Sequence, residues 1–170
     1  MGYVFFVAYL ACIPLANWMI GHAGTVCMLD GPCLIPVAPG IMAPSGVLMV
    51  GFALVLRDLV QRCLGISWGL LAVVLGTLVS LGLAPGALVV ASGAAFILSE
   101  LADFAVYTPL QRRGLVLAVL ASSAVGLLVD SVLFLGLAFH SLDFLAGQVI
   151  GKVLAVLIAT PVVAVARRAA

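Results

Sequence analysis

Six apolar runs divide the chain, over about residues 3–20, 45–63, 67–83, 87–109, 114–139 and 144–166. A helix that crosses a bilayer core needs about 20 such residues. Most breaks between the runs are short and carry helix-ending residues: Ala84-Pro85-Gly86, Gln111 to Gly114, and His140 to Asp143. Residues 21–44 form the one long connection, dense in proline and glycine, and the apolar stretch Leu34 to Met42 within it suits re-entry into a membrane. The pattern predicts an all-α integral membrane protein. Six transmembrane helices would form a single transmembrane domain over residues 1–170, with an outer loop at 21–44.

The basic residues give this pattern an orientation. Arg62 ends the second run, Arg112 and Arg113 follow the fourth, and Arg167 and Arg168 close the sixth. The connections after the first, third and fifth runs contain no Lys or Arg. The positive-inside rule then places the N- and C-termini in the cytoplasm, with bacterial cytoplasmic membrane as the expected location. Met1 and Gly2 bring no positive charge to the first run, which argues against a signal peptide. Phe6 stands where a myristoylation signal needs Ser or Thr.

Composition removes the other classes. Hydrophobic residues make up 66% of the 170 residues and charged residues only 8%, and mean hydropathy is +1.41. A soluble domain needs a more polar exterior than this chain can supply. A net charge of +1 gives no basic field for nucleic acid. No phosphate-binding loop, nucleophile–base pair or cofactor fingerprint is present, so neither an enzyme nor a cofactor is expected.

Six charges nevertheless fall inside the runs: Arg57, Asp58, Glu100, Asp103, Asp130 and Lys152. At about 2.5–3.5 kcal/mol each, exposing all six to lipid would cost on the order of 15–20 kcal/mol. They must face one another or a wet cavity. An ion-pair network that only fixes helix packing is the simpler account, but acids outnumber bases, so full pairing leaves acids that need protons, cations or a donor-rich ligand. Phe96, Glu100, Asp103 and Tyr107 share one face of the fourth helix, which makes an acidic stripe between two aromatics. Ser123, Gly126 and Asp130 share a face of the fifth. Gln148 and Lys152 share one of the sixth, with the small residues Gly151 and Ala155. Arg57 and Asp58 point about 100° apart, which suggests separate roles. Asn17 lies at the outer end of the first helix and extends the polar column. The third helix has no charge and reads as peripheral.

Carboxylates in a dry pocket accept N–H donors strongly, and aromatics stack planar rings. The physical reading is a small, polar, planar ligand rich in donors, such as a guanine-like edge. The substrate-binding set is then Asn17, Arg57, Asp58, Phe96, Glu100, Asp103, Tyr107, Asp130, Gln148 and Lys152. Cys27 and Cys33 would lie outside, where a disulfide and two free thiols are the open alternatives. Their spacing with His22 fits no common metal-ligand pattern, so no metal is expected. His22 and His140 fall in outer loops, away from the charge column.

Several segments resemble a known family. Ala43-Pro44-Ser45-Gly46 followed by Leu56-Arg57-Asp58-Leu59-Val60, the stretch ASGAAFILSELADFAVY at 91–107, SSAVGLLVDSVLFLGLAF at 122–139, and Lys152 with Thr160-Pro161 are similar to signatures of the VUT (vitamin uptake transporter, YhhQ-like) family. The resemblance covers about residues 40–165. It implies uptake of queuosine precursors, 7-cyano-7-deazaguanine or a related 7-deazaguanine, across the cytoplasmic membrane. It also implies a likeness to the substrate-binding subunits of energy-coupling-factor (ECF) transporters. The alternative function is therefore a substrate-binding subunit of an ATP-driven ECF vitamin transporter, which would need an ATPase coupling module as partner. The expected partners are otherwise the substrate and the lipid bilayer, with a homo-oligomer as an alternative to a monomer.

Overall fold

A computed structural model describes the backbone at residues 1–29, 31–83 and 89–169, and side chains there except at residues 83, 89, 92, 139 and 162–169. The expected turn at 84–86 and the side chains of Arg167 and Arg168 lie outside the described residues. Six helices are present among the described residues: α1 (Gly2–His22), α2 (Val47–Leu64), α3 (Ile66–Leu83), α4 (Val89–Leu110), α5 (Leu115–Phe139) and α6 (Leu145–Ala169). By length and composition, Gly2–His22 and Leu115–Ala138 are each long and apolar enough to cross a membrane.

The all-α expectation needs one correction. Residues 21–44 are not a simple loop. α1 runs on to His22, and the rest contains a three-stranded antiparallel sheet in the order β1 (Val26–Cys27), β2 (Cys33–Ala38), β3 (Ile41–Pro44). Pro39-Gly40 turns β2 into β3, because proline fixes one φ and Gly40 adopts the positive φ of 73° that the turn requires. Pro36 sits within β2 without breaking it. The Leu34 carbonyl accepts the Thr25 N–H, so Pro36, two residues on, turns its nitrogen to the same side. Pairing with β1 stops at Leu34, and the N–H that proline lacks would have had no partner there. Cys27 and Cys33 face each other across β1 and β2 and form a disulfide. Proline and glycine signalled the end of α1, but here they also shape a hairpin.

α2 is the central helix and touches the other five. With α1 and α3 it packs a cluster that includes Tyr9, Ile13, Ala53, Val60 and Ala72. With α4, α5 and α6 it packs a second that includes Val55, Leu59, Tyr107, Val119 and Val156. Gly51 permits the α2–α6 contact: a Cβ there would lie 2.6 Å from that of Ala155 and 3.0 Å from the Lys152 carbonyl oxygen. Neighbouring ends fix the alternation of the helices. Gly2 abuts Leu64, and the Tyr3 and Trp68 rings meet edge-on at 5.3 Å. At the opposite end Ser45 donates to the Met19 carbonyl at 2.7 Å, beside the sheet. Arg62, Arg112 and Arg113 thus lie at the end away from the sheet.

Polarity is inverted relative to a water-soluble protein. Arg57, Asp58, Asp103 and Lys152 are fully buried, while Leu78 and Ile158 are 59% and 64% exposed. Apolar side chains cover the outside of α1, α3, α5 and α6, and charges occupy the middle. An apolar exterior of this kind is stable against lipid and costly against water.

Candidate functional site

The buried charges gather into two clusters. In the first, α2 supplies Arg57 and Asp58, and α4 supplies Glu100 and Asp103 one turn apart. The Arg57 Nη1 lies 3.0 Å from Asp58 Oδ1. Its Nε donates to Glu100 Oε2 at 3.1 Å, and its Nη2 bonds Asp103 Oδ1. Nη1 also donates to Gln61 Oε1 at 3.3 Å, and Gln61 passes a donor on to Thr108 at 3.1 Å. The Phe104 and Tyr107 rings lie 5.4 and 5.8 Å from the guanidinium carbon. A planar fork of five donors suits this crowding better than an ammonium would. Arg57 and Asp58 are thus partners rather than separate. A 100° backbone angle does not hold apart a side chain as long and flexible as arginine.

In the second cluster the Lys152 ammonium of α6 donates to Asp130 Oδ2 and, at 2.8 Å, to Ser131 Oγ, both on α5. A count over the two clusters gives two cations and four carboxylates.

Beside them lies a cavity of about 870 Å³, which reaches toward the sheet. Of the residues singled out from the sequence, Asn17, Phe96, Glu100, Asp130 and Gln148 line it. Arg57, Asp58, Asp103, Tyr107 and Lys152 do not. Glu100 and Asp130 are therefore the points where each cluster meets the cavity, and the cations stand one contact behind the wall. Tyr107 packs in the apolar cluster, with its hydroxyl unpaired among the described residues. Asn17 donates its amide to the Ile13 carbonyl at 3.2 Å.

The cavity wall also holds residues that the sequence reading passed over. Phe134 lies one turn beyond Asp130 on α5, and that i, i+4 spacing was the available signal. Ser99 precedes Glu100, and Ser80 brings α3 to the wall although that helix carries no charge. His22 also lines the cavity rather than lying apart, as the last residue of α1, stacked on Trp18 with ring centroids 5.5 Å apart. From the sheet side Leu29, Gly31 and Pro32 contribute. Chemically the wall offers two carboxylates, two amides, the His22 imidazole and three other aromatic rings, which suit a small ring with several N–H donors. No group of three His, Cys, Asp or Glu residues among those described is arranged to hold a metal ion.

No curated protein and no solved structure matches the chain. The model of the family described as "Putative vitamin uptake transporter" matches residues 79–166, from the end of α3 through α6, which includes Glu100, Asp103, Asp130 and Lys152. A buried charge network beside a cavity, in a chain with an apolar exterior, fits a family of membrane transporters with small-molecule substrates. On this match over half of its length, the chain belongs to the vitamin uptake transporter (VUT) family.

Proposed function

We propose that this chain carries a queuosine precursor, 7-cyano-7-deazaguanine or a related 7-deazaguanine, inward across a bacterial cytoplasmic membrane. The observation that carries the reading is Glu100. It is 1% exposed, held by Arg57 and set in the cavity wall beside Phe96. A carboxylate fixed in this way can accept the adjacent N–H and NH₂ donors of a guanine-type edge, while an aromatic ring covers its face. Asp130, Gln148 and Asn17 supply further acceptors. Arg57, Asp58, Asp103 and Lys152 act in this reading from behind the wall, by fixing the orientation and charge of Glu100 and Asp130. The family match favours a transporter over a substrate-binding subunit of an ECF complex.

The test is uptake in cells that cannot make queuosine precursors, with this chain expressed and no ATPase subunit added. Queuosine should appear in transfer RNA when 7-cyano-7-deazaguanine is supplied at low concentration. Absence of queuosine despite membrane-inserted protein would reject the reading.

The same reading takes all six helices as spans and both termini as cytoplasmic. The Arg-bearing ends of α2, α4 and α6 face inward, and the disulfide-linked sheet covers the outer side. A reporter fused after Ala170 should read out as cytoplasmic. An external readout would refute the orientation.

A further inference from the structure

The Arg57 cluster does not balance electrically. Three carboxylates surround one guanidinium, which leaves two negative charges in the middle of the helix bundle if all are ionised. Asp58 and Asp103 are also drawn together. They bind two nitrogens of the same guanidinium, and the Ser122 hydroxyl donates to Asp58 Oδ2 at 3.0 Å. Two carboxylates that share one guanidinium in a medium of low dielectric repel each other, and a proton on one of them relieves the repulsion. A metal ion would have to hold them apart with its own bonds, and Arg57 already occupies the place of the cation. Independent observations point to an exchangeable occupant. Asp103 Oδ2 is buried without a hydrogen-bond partner among the described residues. So are the hydroxyls of Tyr107 and Ser123, each fully buried. Ser123 lies one turn from Gly126 on the face of α5 that packs against Asp103. Other titratable groups of the bundle interior are Glu100 on the same guanidinium and Tyr9 of α1, while Asp130 and Lys152 are engaged with each other.

We propose that Asp58 and Asp103 form a proton-binding pair, and that its loading and release are coupled to movement of the substrate. One O–H bond forms at the pair as one breaks on a hydronium ion of the cavity, which is left as water, with Glu100 as the relay at the wall. The cluster then carries one negative charge instead of two. Release toward the Arg-bearing end restores the starting state. The pair itself does not depend on the identity of the substrate. Its coupling to uptake rests on the transport reading given above.

Infrared difference spectroscopy of the protein in lipid, without substrate, should show the carbonyl stretch of a protonated carboxylic acid at neutral pH. Asp58→Asn and Asp103→Asn should each remove that band, because either change leaves one aspartate and Glu100 on Arg57 and no second aspartate to share the proton. Absence of the band in the parent overturns the proposal even if neither variant folds, and so does a band unchanged in both variants. In vesicles loaded with parent protein, an inward proton gradient should accelerate entry of 7-cyano-7-deazaguanine, and in each variant the rates with and without the gradient should become equal. Acceleration by a sodium gradient at fixed pH, with no response to protons, would overturn the coupling. A band that behaves as described, together with no movement of the compound, would uphold the pair and reject the substrate.

Discussion

Arg57→Met is expected to cost more stability than any other single substitution in this chain. The guanidinium is fully buried and serves three carboxylates. Removing one partner of a buried ion pair costs about 3–5 kcal/mol, because the remaining charge loses its compensation. Here three acids lose it together. Total stability of a folded domain is about 5–15 kcal/mol, so the variant should melt far below the parent or fail to yield monodisperse protein. Replacement of a whole buried network by hydrophobic residues of similar volume is often close to neutral in stability. Arg57→Met combined with Asp58→Leu, Glu100→Met and Asp103→Leu should therefore recover much of the loss. Melting temperatures in one detergent check both statements. A single variant that melts like the parent would show that Arg57 is not the centre of the network.

Glu100→Gln is expected to do the reverse, with a small effect on the fold and a large one on the ligand. The amide is nearly isosteric, can still accept from Arg57 Nε, and removes one of the surplus negative charges. It cannot accept two N–H donors in the manner of a carboxylate. Loss of a buried charge-assisted hydrogen bond costs about 2–5 kcal/mol, and every 1.4 kcal/mol is roughly tenfold in affinity. Binding of 7-cyano-7-deazaguanine should weaken more than tenfold, while the variant stays monodisperse and melts close to the parent. Equilibrium dialysis together with a melting curve separates the two effects. If Glu100 only fixed helix packing, the variant would fold poorly and whatever folded would bind normally.

The helices and the charged residues were legible in the sequence for a simple reason. Apolar runs interrupted by Gly, Pro and Arg leave few alternatives, and a charge inside such a run is costly enough to stand out. The stripe Phe96, Glu100, Asp103, Tyr107 follows from helical periodicity alone. Which acid meets which base did not follow. Lys152 and Asp130 sit on different helices, and their pairing depends on how α5 and α6 rotate against each other. Periodicity put Phe96 and Tyr107 on one face, yet Phe96 lines the cavity and Tyr107 packs against α5 beside Arg57. A stripe several turns long crosses from the cavity into the packed core. The sheet at 26–44 was missed because strands of two to six residues give almost no periodic signal, and because proline density reads first as a helix stop. Tyr9 was passed over for a related reason. A tyrosine in an apolar helix resembles any core aromatic until its hydroxyl is seen buried and without a partner among the described residues.

In the proposed function, the cavity beside Glu100 holds a 7-deazaguanine. Calorimetric titration of the purified, monodisperse parent chain with 7-cyano-7-deazaguanine tests it most directly. Binding to the chain alone should be saturable, weakened more than tenfold by Glu100→Gln and unchanged by Leu78→Ala on the exposed face of α3. No binding by the parent, or equal binding by the parent and Glu100→Gln, would contradict it.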